Sequence, residues 1–158
     1  MTDFQELYTR YARDIYRFAL FLCGDAVEAE DITSETFARA LIGKAPLVSA
    51  TVKGYLLTIA RNLHLESVRR RKRLSELPDS GPNLDHVVSH KTELEALQVY
   101  LQTFPEVDRA ALLLRADGVT YKEIANSLNI SLASAKVKVH RLRLKLAEWR
   151  VNRELIGI

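Results

Sequence analysis

Lys136, Lys138, His140 and Arg141 stand within six residues of one another, directly after three small residues, Ala133, Ser134 and Ala135. Small side chains at the start of a helix let its free N–H groups approach a phosphate. Long basic side chains a turn later can reach base edges in a major groove. A second cluster runs from Tyr55 through Arg61 and Asn62 to Arg69, Arg70, Arg71, Lys72 and Arg73. Cations for phosphates, an amide for a base edge and an aromatic ring for stacking are the groups that bind a single strand. The third cluster has the opposite sign: Asp25, Glu28, Glu30, Asp31 and Glu35, with no basic residue among them. Taken singly, each fits an ordinary solvated face, and Tyr55 fits a core position. Together they point to a polyanionic partner and to a separate, basic one.

Catalytic and metal chemistry find no comparable pattern. Of the four histidines, His64, His86, His90 and His140, only His86 and His90 are spaced like a ligand pair. They fall in a polar stretch where solvated side chains are expected. No Gly-rich phosphate loop or nucleophile motif occurs, so no catalytic residue, cofactor or metal is expected. Cys23 is the single cysteine, which excludes an internal disulfide, and its apolar setting suggests a buried thiol. The longest apolar run is six residues, Phe18 to Cys23, against the ~20 needed to span a bilayer. The N-terminus carries Asp3, Glu6 and Arg10 in place of an export signal, so a cytoplasmic protein without membrane insertion is expected.

Helices must position these clusters. Phe4, Leu7, Tyr8, Tyr11, Ile15, Phe18, Ala19 and Leu22 fall in steps of three and four, predicting a first helix to about Cys23 that Gly24 closes. Asp25 with Glu28 forms a capping-box pattern for a second helix, with Ala29, Ile32, Thr36, Phe37, Ala40 and Leu41 on its inner side. A loop follows from Gly43, and a third helix from Ser49 or Thr51 buries Val52, Tyr55, Leu56, Ile59, Ala60 and Leu63 before ending in the basic run. Residues 75–88, with Pro78, Gly81 and Pro82, read as a flexible linker. Beyond it come helices from about Lys91 to Thr103 and from Pro105 to Ala116. A short helix opened by Thr120 with Glu123 ends at Asn129, and Ser131 caps a last helix to about Arg150. The final pair is a helix-turn-helix pattern. The fold class is all-α: two small helical domains, 1–74 and 89–158, joined by the linker.

Three segments, EAEDITSETFARAL (Glu28–Leu41), KGYLLTIARNLHLESVRRRKR (Lys53–Arg73) and VTYKEIANSLNISLASAKVKVHRLRLKL (Val119–Leu146), resemble in order the two domains of bacterial sigma factors of the extracytoplasmic-function type. The resemblance implies a promoter-specificity subunit that acts by binding core RNA polymerase and promoter DNA, with no chemistry of its own. It places the polymerase contact on Asp31, Glu35 and Phe37, with Ser34 where the family commonly has Gln. The loop from Gly43 to Val52 and the helix bearing Asn62 correspond to the part that captures a flipped base of the minus-ten element. Glu66 falls at another such position, where a carboxylate could accept from a cytosine amino group but would repel phosphate. Arg61, Arg69, Arg70 and Arg73 are the accompanying DNA contacts. The minus-thirty-five reader corresponds to the helix-turn-helix, with Ser134, Lys136, Lys138, His140 and Arg141 as contacts. Ala133–Ala135 replace the family's common Gly-Thr-Val, and Val137 a usual polar residue. An inhibitory anti-sigma protein is a further implied partner, and the free protein is expected to be a monomer. The rival reading is a stand-alone helix-turn-helix regulator, which would bind duplex DNA without polymerase.

Overall fold

The computed structural model describes residues 4–43, 51–75 and 92–156. Among them are seven helices and no strand: α1 (Phe4–Cys23), α2 (Ala26–Ile42), α3 (Val52–Ser75), α4 (Glu93–Leu101), α5 (Glu106–Ala116), α6 (Tyr121–Leu128) and α7 (Leu132–Ile156). The loop expected from Gly43 to Val52 falls largely outside the described residues. So do the linker apart from Ser75, and His86 and His90.

The chain divides into two compact units, Met1–Thr103 and Phe104–Ile158. In the first, Ile15, Phe18 and Leu22 of α1 meet Ala29, Ile32 and Phe37 of α2 and Leu56, Leu57, Ala60 and Leu63 of α3. Thr33 and Thr36 enter this core because their hydroxyls donate to the carbonyls of Ala29 (2.7 Å) and Ile32 (2.6 Å) within their own helix. Leu41 and Val52, expected inside, are 62% and 47% exposed, since the apolar stripe of each helix outlasts its contact with the neighbours. Asp25 caps α2 by accepting from the N–H of Val27 at 3.1 Å. Glu28 does not complete a capping box. Its carboxylate is 12% exposed and is held by Arg71 from α3 at 3.1 Å, with His64 Nδ1 at 3.6 Å.

The sequence places α4 with the C-terminal half, whereas by its contacts it sits with the first unit. Gln102, just past α4, explains the docking. Its Nε2 donates to the carbonyls of Phe21 (3.1 Å) and Leu22 (3.3 Å), which the end of α1 leaves open. Gly24 makes room with φ +76°, and a Cβ there would stand 2.9 Å from the Gln102 side chain.

In the second unit α5, α6 and α7 enclose Ala110, Ala111, Leu114, Ile124, Leu128, Ala135, Val139 and Leu142. Thr120 and Ser131 cap α6 and α7, accepting from the N–H groups of Glu123 (3.2 Å) and Ser134 (3.0 Å). Asn129 takes the left-handed conformation at φ 55°, and the N–H of Ile130 donates to the Ala125 carbonyl at 3.0 Å. This αL closure sets the angle between the two helices of the motif.

Candidate nucleic-acid interface

On α3 the positions Asn62, Glu66, Arg69 or Arg70, and Arg73 recur in steps of three and four and so share one face. Asn62, Arg69, Arg70 and Arg73 are exposed and Glu66 is half-buried. Arg71 points elsewhere and is engaged by Glu28. The face is therefore a row of cations with one amide and one carboxylate. Arg61 does not belong to it: at 7% exposure it is packed within the unit, so its guanidinium is not offered to a phosphate. The buried sector of α3 takes in 56, 57, 59, 60, 61, 63 and 64, because this helix packs against both α1 and α2.

Glu66 is not isolated among these cations. Arg39 of α2 donates to both of its oxygens, from NH2 to Oε2 at 3.1 Å and from NH1 to Oε1 at 3.4 Å. The Nε of Arg39 also donates to Glu35 at 3.3 Å. Hydrogen bonding to Glu66 raises the Arg39 pKa further, so the guanidinium is charged at any working pH. Arg39 carries only a faint signal in the sequence. Its i,i+4 spacing from Glu35 is visible there, but its partner 27 residues away is not.

Asp31 and Glu35 are both exposed on α2, along a groove whose other wall carries Leu63, Glu66 and Arg70. Phe37 is not a surface residue. It is 0% exposed, with its ring 5.0 Å from Tyr8 and 6.5 Å from Phe4 between centroids, so it holds α1 against α2 from inside.

On α7 the buried positions Ala135, Val139 and Leu142 fix the orientation. At ~100° per residue the opposite face carries Ser134, Val137, His140, Arg141 and Leu144. Of these Val137, His140, Arg141 and Leu144 are exposed, and Ser134 is partly covered at the capped first turn. Lys136 flanks this sector and lies 6.0 Å from the centre of the Tyr121 ring, whose other contact is Arg115 at 4.4 Å. Lys138 turns to the opposite flank and pairs with Asp108 of α5 at 2.9 Å. It joins two helices of the unit, and its ammonium is engaged by that carboxylate. Val137 and Leu144 are the exposed members of the face that charge-led reading passes over, and they suit contact with thymine methyls.

Among the described residues no three His, Cys, Asp or Glu side chains gather as a metal site, and no helix is long and apolar enough to cross a membrane. An all-α chain with an acidic helix, a cationic helix face and a capped helix-turn-helix has the build of a binding protein with faces of both charge signs. Residues 7–74 match the family model described as Sigma-70 region 2, and residues 94–146 that of Sigma-70, region 4. The chain is 34% identical over 148 residues to the ECF RNA polymerase sigma factor SigM of Bacillus subtilis, covering 89% of this chain and 91% of that protein. To the ECF RNA polymerase sigma factor SigE of Mycolicibacterium smegmatis it is 33% identical over 160 residues, covering 94% of this chain but only 62% of the relative's length. Its fold is similar to that of the sigma factor RpoE of Bartonella quintana, solved in complex with the anti-sigma factor NepR: the TM-score is 0.74 at 22% identity, over 100% and 99% of the two chains. The chain belongs to the ECF RNA polymerase sigma factors. Members of this family are transcription initiation factors and carry no catalytic chemistry of their own.

Proposed function

We propose that this chain binds core RNA polymerase through α2 and directs it to promoters read by α3 and α7. The observation that carries this reading is the separation of three exposed faces on the two units. Asp31 and Glu35 lie on α2, Asn62 with Arg69, Arg70 and Arg73 on α3, and His140 with Arg141 on α7. Opposite charge on neighbouring faces suits two partners held at once, a basic protein surface and a nucleic acid. An exposed amide on α3 suits a base that becomes available only when strands part, while α7 suits duplex DNA. Lys136 supports α7 from its flank. The functional division runs 1–74 for polymerase and minus-ten contacts and 89–158 for minus-thirty-five contacts, bridged by 75–88. The setting is the cytoplasm, where polymerase and promoter are. An anti-sigma protein that covers these faces would silence the chain, as the complexed relative suggests.

Charge reversal tests the assignment. Asp31→Lys with Glu35→Lys should abolish capture by core polymerase in a pull-down while helical circular dichroism stays unchanged, because exposed substitutions cost little stability. Undiminished capture would remove α2 as the polymerase-binding helix.

A further inference from the structure

We propose that Arg39 is the positioning residue for Glu66, holding its carboxylate on the strand-facing side of α3 and offsetting part of its charge there. The inference rests on the reading that this face of α3 meets the minus-ten element. A lone carboxylate beside Arg69, Arg70 and Arg73 is a liability in a nucleic-acid interface, since it repels the phosphates those cations attract. It also competes for the cations themselves.

The geometry removes both difficulties. Arg39 approaches from α2 and donates one hydrogen bond to each Glu66 oxygen, at 3.1 and 3.4 Å, which fixes the carboxylate plane as a fork fixes a bidentate pair. A carboxylate has about four lone-pair sites, so roughly one on each oxygen stays open to an amino group on a base edge. The Nε contact to Glu35 at 3.3 Å anchors the guanidinium from its own helix. Such a pair, with side chains 41% and 38% exposed, contributes little to stability, so variants should fold. What the pair changes is the electrostatic sign and orientation of a group at the reading face.

The test is transcription by holoenzyme at saturating core polymerase, from templates that differ by single bases across the minus-ten element. The full-length chain is compared with Glu66→Gln, Arg39→Gln, Arg39→Lys and the Glu66→Gln, Arg39→Gln double variant. Glu66→Gln should alter the base preference at one position by at least about fivefold. Arg39→Gln should alter the same position, and more strongly at low salt, where the uncovered Glu66 charge is least screened. Arg39→Lys restores the charge without the fork, so it should recover overall output but not the full base preference. In the double variant, Arg39→Gln should add nothing to the preference already set by Glu66→Gln. If Arg39→Gln lowers all templates by one factor while Glu66→Gln shifts the preference, Arg39 merely braces α2 against α3 and the proposal fails alone. If Glu66→Gln leaves the preference intact, Glu66 reads no base and the proposal falls; if Asn62→Ala leaves it intact as well, the face does not read the minus-ten element, and both readings fall.

Discussion

Glu28 and Glu35 sit two turns apart on α2 and differ in what surrounds them. Glu28, 12% exposed, is held by Arg71 beside His64, while Glu35 keeps its outer side open to solvent with Arg39 beneath. Composition makes them equivalent members of one acidic stretch, and only the packing separates a helix-joining carboxylate from a docking one. The same distinction applies to Phe37. Since it is 0% exposed, Phe37→Ala should destabilise the first unit by about 3–5 kcal/mol in urea unfolding, and any loss of polymerase capture should follow that instability. Charge reversal at Asp31 and Glu35 should show the opposite signature. Cys23 gives a pH test. Burial pushes its thiol up to about 11, from 9.0, while its S–H donates to the Asp25 carbonyl at 3.4 Å. The native state then holds this proton more tightly than the unfolded chain. The contribution is fully present below 9.0 and is lost as pH rises from there towards about 11. Comparing denaturation of the parent and Cys23→Ala at about pH 8 and about pH 10.5 isolates it: the parent should lose more stability over that interval. Equal losses would mean that the thiol titrates as it does in the unfolded chain.

At the scale of elements, most helix limits were legible because periodicity and end signals agree. Gly24, Gly43 and Asn129 all take positive φ at the predicted stops, and Asp25, Thr120 and Ser131 make their caps. What could not be read was which neighbour covers each side of a helix. A 3.6-residue wheel assigns angles within one helix, but α3 packs on two others, so its buried sector widens to include Arg61. The pairing of Lys138 is hidden for a related reason, because its partner Asp108 lies 30 residues earlier on α5. The pair predicts a division of labour along α7. Lys138→Met with Asp108→Asn should show a coupling of about 0.5–1 kcal/mol in a stability cycle, while the order of promoter preference is unchanged. Arg141→Ala should leave stability unaltered and cost about 1–3 kcal/mol at one base pair of the upstream element, relaxing preference there. Transcription from single-base promoter variants checks both. A uniform loss with Arg141→Ala would mark it as a phosphate contact, and a relaxed base preference with Lys138→Met would return Lys138 to the reading face.

Across the whole molecule, the family boundary and the physical one do not coincide. The region 4 match begins at residue 94, whereas the compact units part between Thr103 and Phe104, leaving α4 within the first unit. The Pro- and Gly-bearing stretch at 75–88 marks where composition lets a chain bend, and composition carries no record of a single side chain closing another helix's end. Gln102 does that at the end of α1, in space that Gly24 leaves open. Two amide-to-carbonyl bonds at about 1 kcal/mol net each weigh in how often α4 lifts away, because only Ala96 and Leu101 of this helix are buried. Gln102→Ala should therefore speed amide hydrogen exchange in α4 by about thirtyfold while α5, α6 and α7 keep their protection. Gly24→Ala should act in the same direction, through the crowding at 2.9 Å and the strain of a left-handed alanine. If α5 exchanges faster in step with α4 in the Gln102 variant, then α4 opens together with the second unit, and the division at Thr103 is not the one the molecule uses when it opens.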